Sequence, residues 1–223
     1  MSERGVMNLL GSAIGELAHH VLSKSKIASA AGRRFILGIA GIPGSGKSTF
    51  ASKLAVAAEG LAPGATRVMP MDGFHLSNQR LDELGLRLAK GSPATFDVAG
   101  YLDLLRRAKH VSDEKIQVPI YDRALHEPVL PRDEAHAITP MTQLIITEGN
   151  YLLLDEDPWR GLADVLFECW GLNTPVEQAR QWIIARHVRG GREIDDAMQH
   201  YGRTDLPNTK LILAKRRTPD RVL

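Results

Sequence analysis

The stretch Gly41-Ile42-Pro43-Gly44-Ser45-Gly46-Lys47-Ser48-Thr49 decides the reading of this chain, because its first eight residues match G-x-x-x-x-G-K-S in full. Immediately before it, Phe35-Ile36-Leu37-Gly38-Ile39-Ala40 is a short apolar run of the kind that forms a strand buried on both faces of a parallel sheet. After it, Lys47 to Glu59 is rich in Ala and Leu and carries Phe50, Leu54 and Ala57 or Ala58 at spacings of three or four, which predicts a helix. A glycine-rich turn can arise by chance, but a strand before and a helix after are the context this motif requires. The glycines let the backbone turn tightly and aim N–H groups at phosphate oxygens, and the helix N-terminus adds a favourable dipole. Lys47 would then reach the β- and γ-phosphates of a nucleoside triphosphate, and the Ser48 hydroxyl would ligate magnesium. Gly41, Pro43, Gly44, Ser45, Gly46, Lys47, Ser48 and Thr49 are the candidate nucleotide-binding residues.

Working outward, further strands are predicted at Thr66–Met71, Leu144–Thr147 and Val165–Trp170. Helices are predicted at Val98–Lys109, with Asp97 as N-cap, and at Val176–Val188, entered through Thr174-Pro175. Alternating β and α segments predict an α/β three-layer sandwich: a mostly parallel sheet with helices on both faces. Residues 1–33 read as an N-terminal helical segment packed on the core, with Leu10, Ile14, Leu17 and Val21 at helical spacing. Residues 34–223 read as the domain that carries the chemistry. Asp72–Pro93 and Tyr121–Pro140 look like loops between core elements, where ligand walls commonly form.

With 223 residues, 43% hydrophobic and 24% charged, the chain fits one folded domain, not a disordered or fibrous class. A net charge of +2 does not by itself imply a polyanion partner. The basic tail Lys215-Arg216-Arg217 has no interleaved aromatic residues, so it reads as solvated and no nucleic acid is expected. Cys169 is the only cysteine, which excludes an intrachain disulfide and suits a reducing cytoplasm. No apolar run reaches spanning length, so no membrane is expected.

The other motifs bear on what happens to the triphosphate. A GTPase would be expected to show an Asn-Lys-x-Asp element late in the chain, and Asn208-Thr209-Lys210-Leu211 does not supply it. A mechanical ATPase usually pairs two acidic residues at a strand end, whereas Leu144-Ile145-Ile146-Thr147 ends in Glu148 and then Gly149. A single carboxylate followed by glycine suits a kinase, where Glu148 would hold magnesium and leave room for an acceptor; the alternative is a strand-end cap. Asp72, in Asp72-Gly73-Phe74-His75, follows the second predicted strand, the expected place for a base at the carboxyl edge of a parallel sheet. An ordinary Asp-Gly turn is its bland alternative.

Taken together, these segments and Lys90-Gly91-Ser92-Pro93-Ala94-Thr95-Phe96-Asp97, Pro119 to Arg123, Thr147 to Tyr151 and Arg186 to Arg192 resemble the phosphoribulokinase, uridine kinase and pantothenate kinase group of P-loop kinases. The likeness spans about Phe35 to Ile212 and is nearest a short bacterial nucleoside- or sugar-kinase-like branch. It implies ATP and Mg2+ as cofactors, Asp72 as catalytic base, and Glu148 with Ser48 near the metal. It implies a lid around 186–193 whose Arg186, Arg189 and Arg192 close over the triphosphate, with Gly190-Gly191 as a hinge; an exposed helix end is the plain alternative. It places His75, Tyr121, Arg123 and His126 against a small-molecule acceptor, though any of them could be a structural residue. Asp-Gly-Phe-His is nearer the pantothenate kinase style than the uridine kinase style, and the longer pantothenate kinase framework is missing. The expected activity is ATP-dependent phosphorylation of a hydroxyl, with a nucleoside first and pantothenate-like or sugar acceptors after it, including a fructose-transport-associated kinase. A regulatory nucleotide-binding protein without turnover is the other class, and a homodimer is compatible with either.

Overall fold

A computed structural model describes residues 3–223, with side chains described from Ala13 onward. Through the first half the elements are α1 (Glu3–Ala30), β1 (Phe35–Ala40), α2 (Lys47–Leu61), β2 (Thr66–Pro70), α3 (Asn78–Glu83) and α4 (Val98–Lys109). Four short strands follow: β3 (Ile116–Gln117), β4 (Ile120–Asp122), β5 (Glu127–Val129) and β6 (Ala137–Ile138). The chain continues through β7 (Leu144–Gly149), β8 (Glu168–Gly171), α5 (Val176–Arg189), α6 (Ile194–His200), α7 (Leu206–Lys215) and β9 (Arg221–Val222).

Five strands form one sheet in the order β2-β7-β1-β8-β9, and every neighbouring pair is parallel. Both β1 and β7 are buried along their whole length, which explains why Phe35–Ala40 and Leu144–Ile146 read as apolar runs with no alternation. Phe35, Leu37 and Ile39 face a core shared with Val21 of α1 and Leu54 of α2. Ile36 and Ile145 face the opposite core, which Tyr101 and Leu105 of α4 and Ile212 of α7 complete. Helices therefore cover both faces, giving the three-layer α/β arrangement of P-loop proteins.

The register matters more than the layers. Glu148 lies beside Ile39 of β1 on one side and Pro70 of β2 on the other. Two residues beyond Ile39 the phosphate-binding loop starts at Gly41, and two residues beyond Pro70 stands Asp72. Lateral pairing of three strands thus gathers the loop, the strand-end Glu148 and Asp72 at one carboxyl edge, where ligands of open α/β sheets bind.

Some boundaries differ from expectation. The run at Val165 does not begin a strand: Trp159–Asp164 is a 3-10 turn, Val165 and Leu166 close it, and only Glu168–Gly171 pairs with β1. Val165 and Leu166 are apolar because they fold over into the core beside α4. Neither presumed loop is unstructured. Asp72–Pro93 contains α3 and a 3-10 turn over Met71–Phe74, and Tyr121–Pro140 contains the antiparallel β4–β5 hairpin. Asp97 caps α4 as expected, accepting from the Gly100 amide at 2.9 Å. On α1, Val21 is buried and Ile14 and Leu17 are half-buried, while Leu10 lies outside the described side chains. No helix among the described residues is long and apolar enough to cross a membrane.

Candidate active site

The phosphate-binding loop is pressed onto α5. Gly44 has φ 75, and a Cβ there would stand 2.5 Å from Ile183 Cγ1 and 2.6 Å from the Ala179 carbonyl, so only glycine fits. Thr174 Oγ1 donates to the Ser45 carbonyl at 2.9 Å and ties the loop to the entry of α5. Gly46 is the N-cap of α2 and offers no capping side chain, which leaves the first amides of the helix for an anion.

Lys47 and Ser48, the first residues of α2, face the cavity that the loop encloses. Lys47 is buried, and its Nζ donates to the Ile42 carbonyl at 2.9 Å. Burial pushes its pKa down to about 8, against the opposing pull of the Glu148 and Asp72 carboxylates. Ser48 Oγ donates to Glu148 Oε1 at 3.0 Å. Burial raises the Glu148 pKa, with Lys47 acting the other way. Two adjoining oxygen ligands beside a buried ammonium form a donor set that suits a hard divalent cation next to phosphate.

Two cavities meet here. The first, 420 Å³, is walled by Lys47, Ser48, Thr49, Glu148, Arg189 and Trp182, among others. The second, 520 Å³, is walled by His75, Lys90, Tyr121, His126, Arg192 and Asn208, among others. Pro43, Asp72, Arg123, Asn150, Arg186 and Asp205 border both. The residues singled out in the sequence divide between a loop-side and a hairpin-side chamber, with Asp72, Arg123 and Arg186 at the junction and Arg192, expected over the triphosphate, on the second chamber alone. Gly41 and Ser45 fall outside both walls; Ser45 Oγ is buried inside the loop with no hydrogen-bond partner among the described atoms.

Asp72 is held by its neighbours in the chain. Gly73 packs so tightly on the residue that leads into β4 that a Cβ would lie 2.1 Å from the Pro119 carbonyl oxygen. The Asp-Gly pair is thus a contact point between the strand end and the hairpin, which positions the hairpin over the second cavity. His75 Nδ1 lies 2.8 Å from the Asp72 carbonyl, and its ring sits between Phe96 and Tyr121 with centroids at 4.0 and 4.8 Å. Burial lowers its pKa, favouring the neutral imidazole. His126 adopts φ 53 at the hairpin turn, and its carbonyl accepts from Lys90 Nζ at 2.6 Å.

Sequence reasoning missed several wall residues, Asn150 and Lys90 among them, and two more have features of their own. Asp205 ends a π-helical stretch, Tyr201–Asp205, which leads into α7. Burial pushes its carboxyl up to about 6 against the pull of Arg186, Arg192 and Lys47, and its Oδ2 has no hydrogen-bond partner among the described atoms. Trp182 borders the first cavity with 49% of its surface exposed. Its spacing on α5, four residues before Arg186, was the available signal. Trp159 and Trp170 are buried.

Comparisons with known proteins agree with this fold. A family model described as methylmalonyl Co-A mutase-associated GTPase MeaB matches residues 10–69, the unit that surrounds the phosphate-binding loop. The Escherichia coli (strain K12) protein named "Uncharacterized protein YggC" is 37% identical over 186 residues, covering 83% of this chain and 75% of that one. A Schizosaccharomyces pombe protein named "Putative uridine kinase C227.14" is 34% identical over 200 residues, covering 86% of this chain and 83% of that one. The crystal structure of a "putative fructose transport system kinase" from Silicibacter sp. TM1040 superimposes with a TM-score of 0.84 at 32% identity, covering 94% of this chain and 98% of the other. With relatives of this identity matched over most of its length and a complete phosphate-binding loop, the chain belongs to the phosphoribulokinase, uridine kinase and pantothenate kinase group of P-loop kinases.

Proposed function

We propose that the protein is an ATP-dependent kinase that transfers the γ-phosphoryl group to a hydroxyl of a small metabolite. The observation that carries this reading is the position of Asp72 in the wall common to both cavities, so that one carboxylate faces a phosphate-binding chamber and a second chamber beside it. In this reading the loop amides and Lys47 hold the β- and γ-phosphates. Ser48 and Glu148 would hold Mg2+, which would neutralise charge on the phosphates. Asp72 accepts the proton of the acceptor hydroxyl as its oxygen bonds to the γ-phosphorus and the bond to the β–γ bridging oxygen breaks, leaving ADP.

Arg186 borders both chambers, Arg189 the first and Arg192 the second, so the C-terminal end of α5 and the turn after it surround the transfer point. Their guanidinium groups would stabilise charge on the moving phosphoryl group, with Gly190-Gly191 as the hinge of a closing lid. His75, Tyr121, Arg123 and His126 would hold the acceptor. The relatives' names support a nucleoside or a sugar in that place, and the Asp-Gly-Phe motif a pantothenate-like acid. Incubating the protein with γ-labelled ATP, Mg2+ and a panel of these acceptors tests the proposal. ATP binding without label transfer to any hydroxyl compound would leave a nucleotide-binding protein and remove the kinase assignment.

A further inference from the structure

The second cavity carries a charge pattern that the transfer reaction alone does not require. Arg87, Lys90, Arg123, Arg186 and Arg192 border it, against the carboxylates of Asp72 and Asp205. Part of the lid's positive charge has work to do on the triphosphate. Lys90 and Arg87 lie outside that lid and border the second cavity and not the first, so the role is not theirs.

Lys90 is the informative residue. Its Nζ donates to Asn78 Oδ1 and to the His126 carbonyl, both at 2.6 Å, and lies 5.2 Å from the centre of the Tyr121 ring. Two neutral oxygens and an aromatic face hold the ammonium at the mouth of the hairpin. An ammonium has three donors, so this arrangement fixes its direction and leaves one N–H over. Among the described residues Lys90 makes no ion pair with a carboxylate, nor do Arg123, Arg186 or Arg192, whereas Arg87 pairs at 3.2 Å with Asp82. Partial burial lowers the Lys90 pKa, with the Arg87 guanidinium adding to that and Glu127 opposing it. A directed cation, partly removed from water and paired only with neutral groups, costs free energy that an anionic ligand group offsets. An unsubstituted nucleoside or hexose brings no charge to such a place.

Resting on the kinase reading of the two chambers, we propose that the acceptor carries an anionic group, a carboxylate or a phosphate, in addition to the hydroxyl that is phosphorylated, and that Lys90 binds this group. Arg123 borders both chambers. The proposal narrows the candidate acceptors to acids and sugar phosphates and disfavours an uncharged nucleoside.

Matched acceptors test it on the unmodified chain: glycerate against glycerol, ribose 5-phosphate against ribose, and uridine. We expect phosphoryl transfer to at least one anionic member with kcat/KM at least about tenfold above its neutral partner, and the two pairs separate carboxylate from phosphate recognition. Preference for the neutral members or uridine would overturn the anionic acceptor while leaving the kinase reading intact. A binding measurement separates the two claims: with the first chamber saturated by Mg2+ and a non-hydrolysable ATP analogue, glycerate and ribose 5-phosphate are titrated calorimetrically. Saturable binding of an anionic probe that Lys90→Gln weakens about tenfold or more, and that Lys90→Arg largely restores, supports the anchor even where no transfer to that probe occurs; the kinase reading falls only if no acceptor of the wider panel is phosphorylated. Equal binding by wild type and Lys90→Gln, or no saturable binding of either anionic probe, overturns it.

Discussion

Replacing Asp205 with Asn should stabilise the nucleotide-free protein, and by an amount that depends on pH. The Asp205 carboxyl is raised from the usual 3.8 to about 6, chiefly by burial, and Arg186, Arg192 and Lys47 only partly offset this. A carboxyl raised on folding binds its proton more tightly in the folded state, so the associated stability is fully present below the unfolded value and is lost as pH rises through the folded one. Between pH 3.8 and about 6 the loss accumulates to about 3 kcal/mol, an order-of-magnitude figure, and it persists above pH 6. Asn has nearly the same shape and no charge to desolvate. It forgoes no helix cap, because the Asp205 side chain makes no capping bond to α7. For a chain of this size, about 3 kcal/mol corresponds to a melting shift of about 6–12 °C. Thermal unfolding followed by circular dichroism should therefore show Asp205→Asn melting about 6 °C or more above wild type at pH 7.5, with the advantage roughly halved at pH 5. Equal melting at both pH values, or a less stable variant at pH 7.5, would refute the claim that this carboxylate is held at a cost beside the lid arginines.

Two further outcomes follow from particular contacts. Gly73→Ala places a methyl group 2.1 Å from the Pro119 carbonyl oxygen, a backbone atom that cannot swing aside, so the variant should lose about 2–3 kcal/mol of stability in denaturant unfolding, together with acceptor-side function. Lys47, held down to about 8 by burial, should regain its proton when a triphosphate arrives, so nucleotide binding should take up protons near pH 8 and weaken as pH rises through that value. Calorimetry in buffers of different ionisation enthalpy reads the uptake, and a Lys47→Met variant should abolish it.

What was legible in the sequence is the chemistry written in contiguous residues. The loop from Gly41 to Thr49 sits between a strand and a helix because each residue serves its local turn, so the pattern survives without any tertiary information. β1 and β7 were legible for a related reason: strands buried on both faces are apolar along most of their length. Asp205 was not legible. It belongs to a π-helical stretch with no acidic motif around it, and it reaches the site only because α6 and α7 bring that stretch back towards α5. Val165 and Leu166 misled for the opposite reason, since an apolar run records burial and not the backbone conformation that achieves it. The wall of the second cavity was legible as residue types, His75, Tyr121, Arg123 and His126, but not as a chamber. Its shape depends on the hairpin seating on Gly73 and on Lys90 reaching across to the His126 carbonyl.

The central claim is that Asp72 stands where two chambers meet and takes the acceptor's proton, and Asp72→Asn tests it most directly. The substitution keeps size and turn-forming capacity and removes the basicity. Measured as γ-phosphoryl transfer beside a thermal melt, it should lower turnover by roughly a hundredfold to ten-thousandfold with the melting temperature nearly unchanged. Turnover at the wild-type level in a variant that melts like wild type would contradict the account.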